Sequence, residues 1–160
     1  MSKPYRSLAD ALLASIRRHQ RHRSRPGALA WVMRKIARVQ HIALSKLTAS
    51  DIDIHTTFGD NLRLPHPTGV VIHGDVRIGD DCMVMQQVTI GQLATGGVPV
   101  VGSKVYIGAG AKVLGPVSLG DGAQVGANAV VLQDVPAGAT AVGIPSRVIA
   151  PPSETTASSS

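Results

Sequence analysis

Two of the six histidines in this 160-residue chain, His66 and His73, stand seven residues apart in RLPHPTGVVIHGD, residues 63–75. Imidazole exchanges its proton near neutral pH without help from its surroundings. Either ring is therefore a candidate for acid–base chemistry. His66 sits between Pro65 and Pro67, where the alternative is a solvated turn histidine. His73 follows Ile72 and should point outward, as a weaker catalytic candidate or as plain surface. Other reactive groups are few. A single cysteine, Cys82, rules out an internal disulfide and a cysteine metal cluster. No metal is expected.

What positions these histidines is a repeat. Aliphatic residues recur every six positions at Ile72, Ile78, Val84 and Ile90, and again at Val101, Ile107, Val113, Leu119, Val125 and Val131. Ile52, Phe58 and Leu64 keep the same step upstream. Glycine follows the aliphatic residue at 79, 91, 102, 108, 120 and 126, where its backbone freedom would serve the turn. Four residues after each aliphatic comes a small or β-branched residue: Val76, Cys82, Val88, Ala94, Val105, Ala111, Val117, Ala123, Ala129 and Val135. This period fits neither a helix nor a long alternating strand. It fits a short strand and a turn, three of which close one triangular coil of a parallel β-helix. Aromatic residues make up only 2% of the chain, against 44% hydrophobic overall, as a core of small repeated slots requires. Cys82 fills one such slot and reads as a buried structural thiol.

The period breaks twice. Leu64 to Ile72 is a step of eight, and the extra residues fall around His66. Ile90 to Val101 is a step of eleven, which predicts a protruding loop over GQLATGGVP, 91–99. Loops on rigid scaffolds carry function.

The flanks differ from the repeat. Residues 1–50 hold 11 Lys/Arg and one acid, Asp10 (net +10); residues 51–160 hold 5 against 9 (net −4), which together give the +6 of the whole chain. Leu8, Leu12 and Ile16 predict an amphipathic helix over 7–20, with Ser7 as N-cap. Leu29, Val32, Met33, Ile36, Val39 and Ile42 predict a second helix over about 28–47 with an apolar stripe. The basic cluster RRHQRHRSR, 17–25, is a candidate for peripheral contact with an anionic membrane, or a solvated linker between the helices. No aromatic residue is interleaved with it, so nucleic acid is not an expected partner. No apolar run reaches the roughly 18 residues that span a bilayer, and no secretory signal is read at the N-terminus. A cytoplasmic protein is expected, built as a helical segment (1–50), a β-helix (51–150) and a disordered tail (151–160).

The closing run IGAGAKVLGPVSLGDGAQVGANAVVLQDVPAGATAVGIPSRVI resembles the left-handed parallel β-helix acyltransferases built from hexapeptide repeats. LRLPHPTGVVIHGDVRIGDDCMVMQQVTIG is most similar to the serine acetyltransferases, and is also close to acetyltransferases of exopolysaccharide biosynthesis. The resemblance implies a mainly β fold, acetyl-CoA as co-substrate and, for the serine enzymes, a place in cysteine biosynthesis. It implies that His66 is the general base. It implies donor contacts at Gly108, Ala109, Ala111, Ala127, Gly143 and Pro145, with Lys112 and Arg147 near the phosphates. It also implies a homotrimer, because the site lies between subunits. Asp53 and His55 in DIDIH match the start of the family's β-helix and read as structural.

Two positions depart from the serine enzymes. Pro65 stands where they place an aspartate, and Gly97-Val98 where they place an Arg-His pair in the long loop. The acceptor is thus serine or a related small hydroxyl compound, with a sugar hydroxyl as one alternative. A non-catalytic β-helix scaffold is the other.

Overall fold

The computed structural model describes residues 7–23 and 26–150; the expected tail at 151–160 and part of the basic cluster lie outside the described residues. Three parallel sheets form the faces of a prism. The first face carries β1 (Asp51–Ile52), β3 (Val71–Ile72), β6 (Thr89–Gly91), β9 (Lys112–Leu114) and β12 (Val130–Val131). The second carries β2 (Thr57–Phe58), β4 (Arg77–Ile78), β7 (Val100–Val101) and β10 (Ser118–Leu119). The third carries β5 (Met83–Val84), β8 (Tyr106–Ile107), β11 (Gln124–Val125) and β13 (Thr140–Val142), and β14 (Arg147–Ile149) folds back antiparallel onto β13. The chain visits the faces in the order first, second, third and repeats, as the six-residue step predicts.

Strand register carries the irregular steps directly. Val71 pairs with Thr89 and Lys112 with Val130, each eighteen positions on, or three six-residue steps. Asp51 pairs with Val71, twenty on, so the two extra residues lie in the first coil. Thr89 pairs with Lys112, twenty-three on, which accommodates the excursion.

All ten aliphatic residues from Ile72 to Val131 are buried, as are the fifth-position residues except Ala94, which is exposed in the excursion. Each buried Val, Leu or Ile contributes about 1.5–3 kcal/mol. Cys82 is buried, and that burial pushes its thiol above the ordinary cysteine range.

The glycines after the aliphatic residues serve a different purpose from the one expected. Their backbones are ordinary, and the left-handed residues come two positions later, at Asp81, Gln87, Lys104, Gly110, Gly122 and Asn128. At Gly79, Gly102, Gly108 and Gly120 glycine is needed because the backbone of the next coil leaves no room for a side chain, whereas a Cβ on Gly91 would meet nothing closer than 3.9 Å. A Cβ on Gly79 would lie 2.7 Å from the carbonyl carbon of Gly102, and one on Gly108 would lie 2.7 Å from the backbone nitrogen of Ala127.

Two helices close the N-terminal end. Helix α1 (Leu8–Arg23) begins with a reciprocal cap: the Asp10 N–H donates to Ser7 Oγ, and the Ser7 N–H to the Asp10 carboxylate. Its Leu12, Leu13 and Ile16 join one continuous core with Ile52, Leu62 and Leu64 of the first coil. The helix runs three residues beyond the expected end, so 17–23 is not a linker. Arg17 lies 5.2 Å over the Phe58 ring and donates to the Gly59 carbonyl, Arg18 donates to Gln40, and Gln20 donates to the Thr56 carbonyl.

Helix α2 (Ala28–Thr48) packs on α1, but not through its predicted stripe. Ala30, Ala37 and His41 are buried, while Leu29, Val39 and Ile42 are 76%, 68% and 51% exposed. The alanine face wins because small side chains let the helix axes approach closely. Among the described residues no helix is long and apolar enough to cross a membrane.

His41 joins the two helices. The Ser15 hydroxyl donates to the Leu12 carbonyl at 2.6 Å, so toward His41 Nδ1, 3.3 Å away, it can only accept. Desolvation holds the His41 ring below the ordinary histidine range. A depressed histidine is neutral in the fold and must charge as acid rises, so its stabilisation is present above the unfolded value of about 6.5 and is lost as pH falls through the folded one. Thermal melts should therefore be flat from pH 8 to 7 and drop below pH 6.5. His41→Gln should reduce that drop, and an unchanged drop would clear His41 of the effect.

Candidate active site

Each corner of the prism is a column of stacked turns. The corner from third to first face holds residues 64–70, 85–88, 108–111, 126–129 and 143–146. His66 is at its head, and Gly108, Ala109, Ala111, Ala127, Gly143 and Pro145 follow below. Backbone bonds tie the turns together: the Gln87 N–H donates to the Thr68 carbonyl, that of Gly110 to Gln86, and that of Asn128 to Ala109. Lys112 begins the adjoining strand, and its Nζ donates back to the Gln87 carbonyl at 2.7 Å. Arg147 is exposed at the foot, on β14. Residues that the sequence scatters over eighty positions thus share one edge.

This edge differs from the next in its unmet hydrogen bonds. At the corner from second to third face, the N–H groups of Asp60, Asp80 and Ser103 donate to Asp80 Oδ1, Ser103 Oγ and Asp121 Oδ1. The matching positions at the His66 corner are Ala109 and Ala127, which have no such side chains. Among the described residues their N–H groups have no partner. Gln86 Oε1 and Ser146 Oγ, two of the four buried side-chain atoms without a partner among the described residues, lie in the same column. A long, thin, amide-bearing molecule fits an edge with free amides and no side chain larger than methyl at 108–110 and 126–127. Gln86 escaped the sequence reading because only the stacking of coils brings it between His66 and Gly108. Ala111 is withdrawn from the contact set: it is 0% exposed, its methyl turned into the core, and it serves the turn.

His66 itself stands exposed on the ridge, and its ring makes no hydrogen bond among the described residues. Among the described residues, none walls in an acceptor there. His73 is elsewhere, at the corner from first to second face. Its Nδ1 accepts the Asp75 N–H at 3.2 Å, and it borders a cavity of about 510 Å³ with Asp53, His55, Thr57, Gly74, Asp75, Arg77 and Arg23. Asp53 Oδ1 accepts the His55 N–H at 2.7 Å. The excursion leaves the same corner, one coil below. It turns at Leu93–Gly96, with Leu93 against Gly115 and Gly97 against Pro116. Among the described residues no group of three or more His, Cys, Asp or Glu is gathered that could hold a metal ion.

A prism of six-residue steps is the architecture of the hexapeptide-repeat proteins. The family model for bacterial transferase hexapeptide (six repeats) matches residues 99–133. A serine acetyltransferase of Helicobacter pylori is 38% identical over 144 residues, covering 87% of this chain and 79% of its own length. The chain belongs to the serine acetyltransferase family. A serine acetyltransferase of Mycobacterium tuberculosis is 41% identical over 126 residues, covering 74% of this chain but only 55% of its own. Among solved structures, a serine acetyltransferase in complex with CoA superposes with a TM-score of 0.75 at 32% identity, over 91% of this chain and 58% of that one. The chain therefore spans little more than half the length of several proteins it matches.

The open edge makes a stability prediction of its own. Gly108→Ala drives a methyl into the backbone of the next coil, with Ala127 N at 2.7 Å and Val125 O at 2.8 Å. It should cost about 1–3 kcal/mol, read as a fall of roughly 3–10 °C in Tm. Ala109→Gly, at the neighbouring open position, should shift it far less. Equal melting of Gly108→Ala and wild type would show that the coils can part freely.

Proposed function

We propose that this protein is an acetyl-CoA-dependent O-acetyltransferase that moves an acetyl group to the hydroxyl of serine or a related small acceptor. The observation that carries this reading is the column: an exposed histidine heads an edge with unpaired amides, in a chain of the serine acetyltransferase family. A structural relative bound to CoA supports the choice of donor. The donor's pantetheine arm runs along the column, with the amides of Ala109 and Ala127 as partners. Lys112 and Arg147 are the cations in reach of its phosphates.

His66 accepts the hydroxyl proton as the acceptor oxygen attacks the thioester carbonyl. The carbon–sulfur bond breaks, the acetyl ester forms, and the proton passes from imidazolium to the leaving thiolate. A positioned base of this kind contributes about 10²–10⁴-fold.

One chain does not enclose this site. A homotrimer supplies the missing wall, each active site lying between two copies. Residues 51–150 form the catalytic unit, with the helical segment 1–50 closing its end, and the cytoplasm is the expected compartment.

The experiment is thiol release from acetyl-CoA with serine, homoserine and sugar acceptors. Wild type should turn over serine or homoserine, and His66→Ala should lose at least 10²-fold in kcat with an unchanged melting curve. Retention of near wild-type turnover by His66→Ala would remove it as the base. Sugar turnover without serine turnover would move the acceptor class, a reading favoured by Pro65 and by the Gly97-Val98 loop. Failure of acetyl-CoA to bind in calorimetry would leave a scaffold.

A further inference from the structure

We infer that His73 and Arg77 bind the carboxylate of the acceptor, and that they do so in the site headed by His66 of the neighbouring copy. This rests on the acetyltransferase reading above. Three observations lead to it.

The first is level. Strand β3 runs from the turn of His66 straight to His73, so the two histidines stand at opposite edges of the first face, in the same coil. In a cyclic trimer each contact is heterologous, with one patch meeting a different patch on the next copy. When parallel prisms turn their first faces toward the threefold axis, the edge after the third face of one copy meets the edge before the second face of the next. The height along the axis is preserved. His66 of one copy then faces the cavity of His73.

The second is chemistry. The Asp75 N–H donates to His73 Nδ1, so the neutral ring carries its proton on Nε2 and presents a donor. Arg77 projects from β4 beside it, exposed, and makes no ion pair among the described residues. A guanidinium next to an N–H donor matches a carboxylate. Asp53 and Asp75 line the same cavity and suit an amine on the acceptor. The cavity as a whole fits a zwitterionic hydroxy amino acid.

The third is the excursion. Residues 91–99 hold no charged side chain, so an acceptor carboxylate at this corner must be met by other groups. The cavity of His73 adjoins the same column and supplies them.

The test uses the full chain, acetyl-CoA, and serine against serine methyl ester, which keeps the hydroxyl and amine and masks the carboxylate. Arg77→Ala should raise the KM for serine at least tenfold, leave kcat within about twofold, and leave the methyl ester unaffected. His73→Gln, which keeps an N–H donor, should raise KM only a few-fold, and His73→Leu more. Trimers refolded from a mixture of His66→Ala and Arg77→Ala chains should regain wild-type KM in a fraction of sites, because one interface then unites an intact His66 with an intact Arg77. An unchanged KM in Arg77→Ala, or an equal rise for serine and its ester, would overturn the assignment while leaving the transferase reading intact. Should the wild type prove to turn over no acceptor, serine binding by calorimetry decides: loss in Arg77→Ala supports the carboxylate site, and no binding by wild type overturns it.

Discussion

Coils of this molecule lie one strand spacing apart, and at the turns that distance is too short for a side chain. Everything else answers to this limit. The residue after each inward aliphatic abandons its Cβ or turns it outward. Two positions on, the backbone enters the left-handed region, where Asp81, Gln87, Lys104 and Asn128 join Gly110 and Gly122. Polar residues accept that conformation more readily than branched ones. The corners are consequently tightly constrained wherever the six-residue period holds. Side chains one coil apart fall into line, and an open edge of small residues arises as a by-product of stacking.

The three corners have diverged within that common geometry. The corner from second to third face closes itself with a ladder of Asp and Ser side chains on backbone amides. The corner of His66 replaces them with alanine and leaves the amides open. The corner of His73 is broken by the excursion and lined with charge. One edge is sealed, one suits a thin amide chain and one suits a small polar molecule, although all three share a backbone path. A difference of one or two side chains per turn separates scaffold from site.

Much of this was legible in the sequence, because a six-residue period is a statement about direction. It says which side chains point inward and where the chain cannot keep step. His66 was found because it interrupts the period, and the register of Asp51 with Val71 carries that interruption intact. What the period does not encode is adjacency between coils. Gln86 and the sealed ladder emerge only on stacking, and the role of the glycines was misread as conformational because the neighbouring coil was not in view. Helix α2 shows a different limit. Periodicity identifies residues that share a face, but it does not say which face is buried. Ala30 and Ala37 carry little hydrophobicity and much closeness, so the alanine face took the contact and left Leu29 and Val39 in solvent.

The ends of the prism have a bearing on how it is bounded. A stack of parallel coils offers open strand edges above and below, and such edges invite another chain to continue the stack. Helix α1 plugs the upper opening with Leu12, Leu13 and Ile16, and β14 reverses direction against β13 at the lower one. Between these stoppers the coil behaves as a ruler with graduations of eighteen residues. Whole graduations can be added or removed without rotating any downstream side chain, and the extra residues near His66 and at 91–99 are absorbed within turns, whereas a lone six-residue step would carry the small-residue edge around to a different face. The length of the groove can drift by whole coils over evolutionary time, and its bearing relative to His66 cannot.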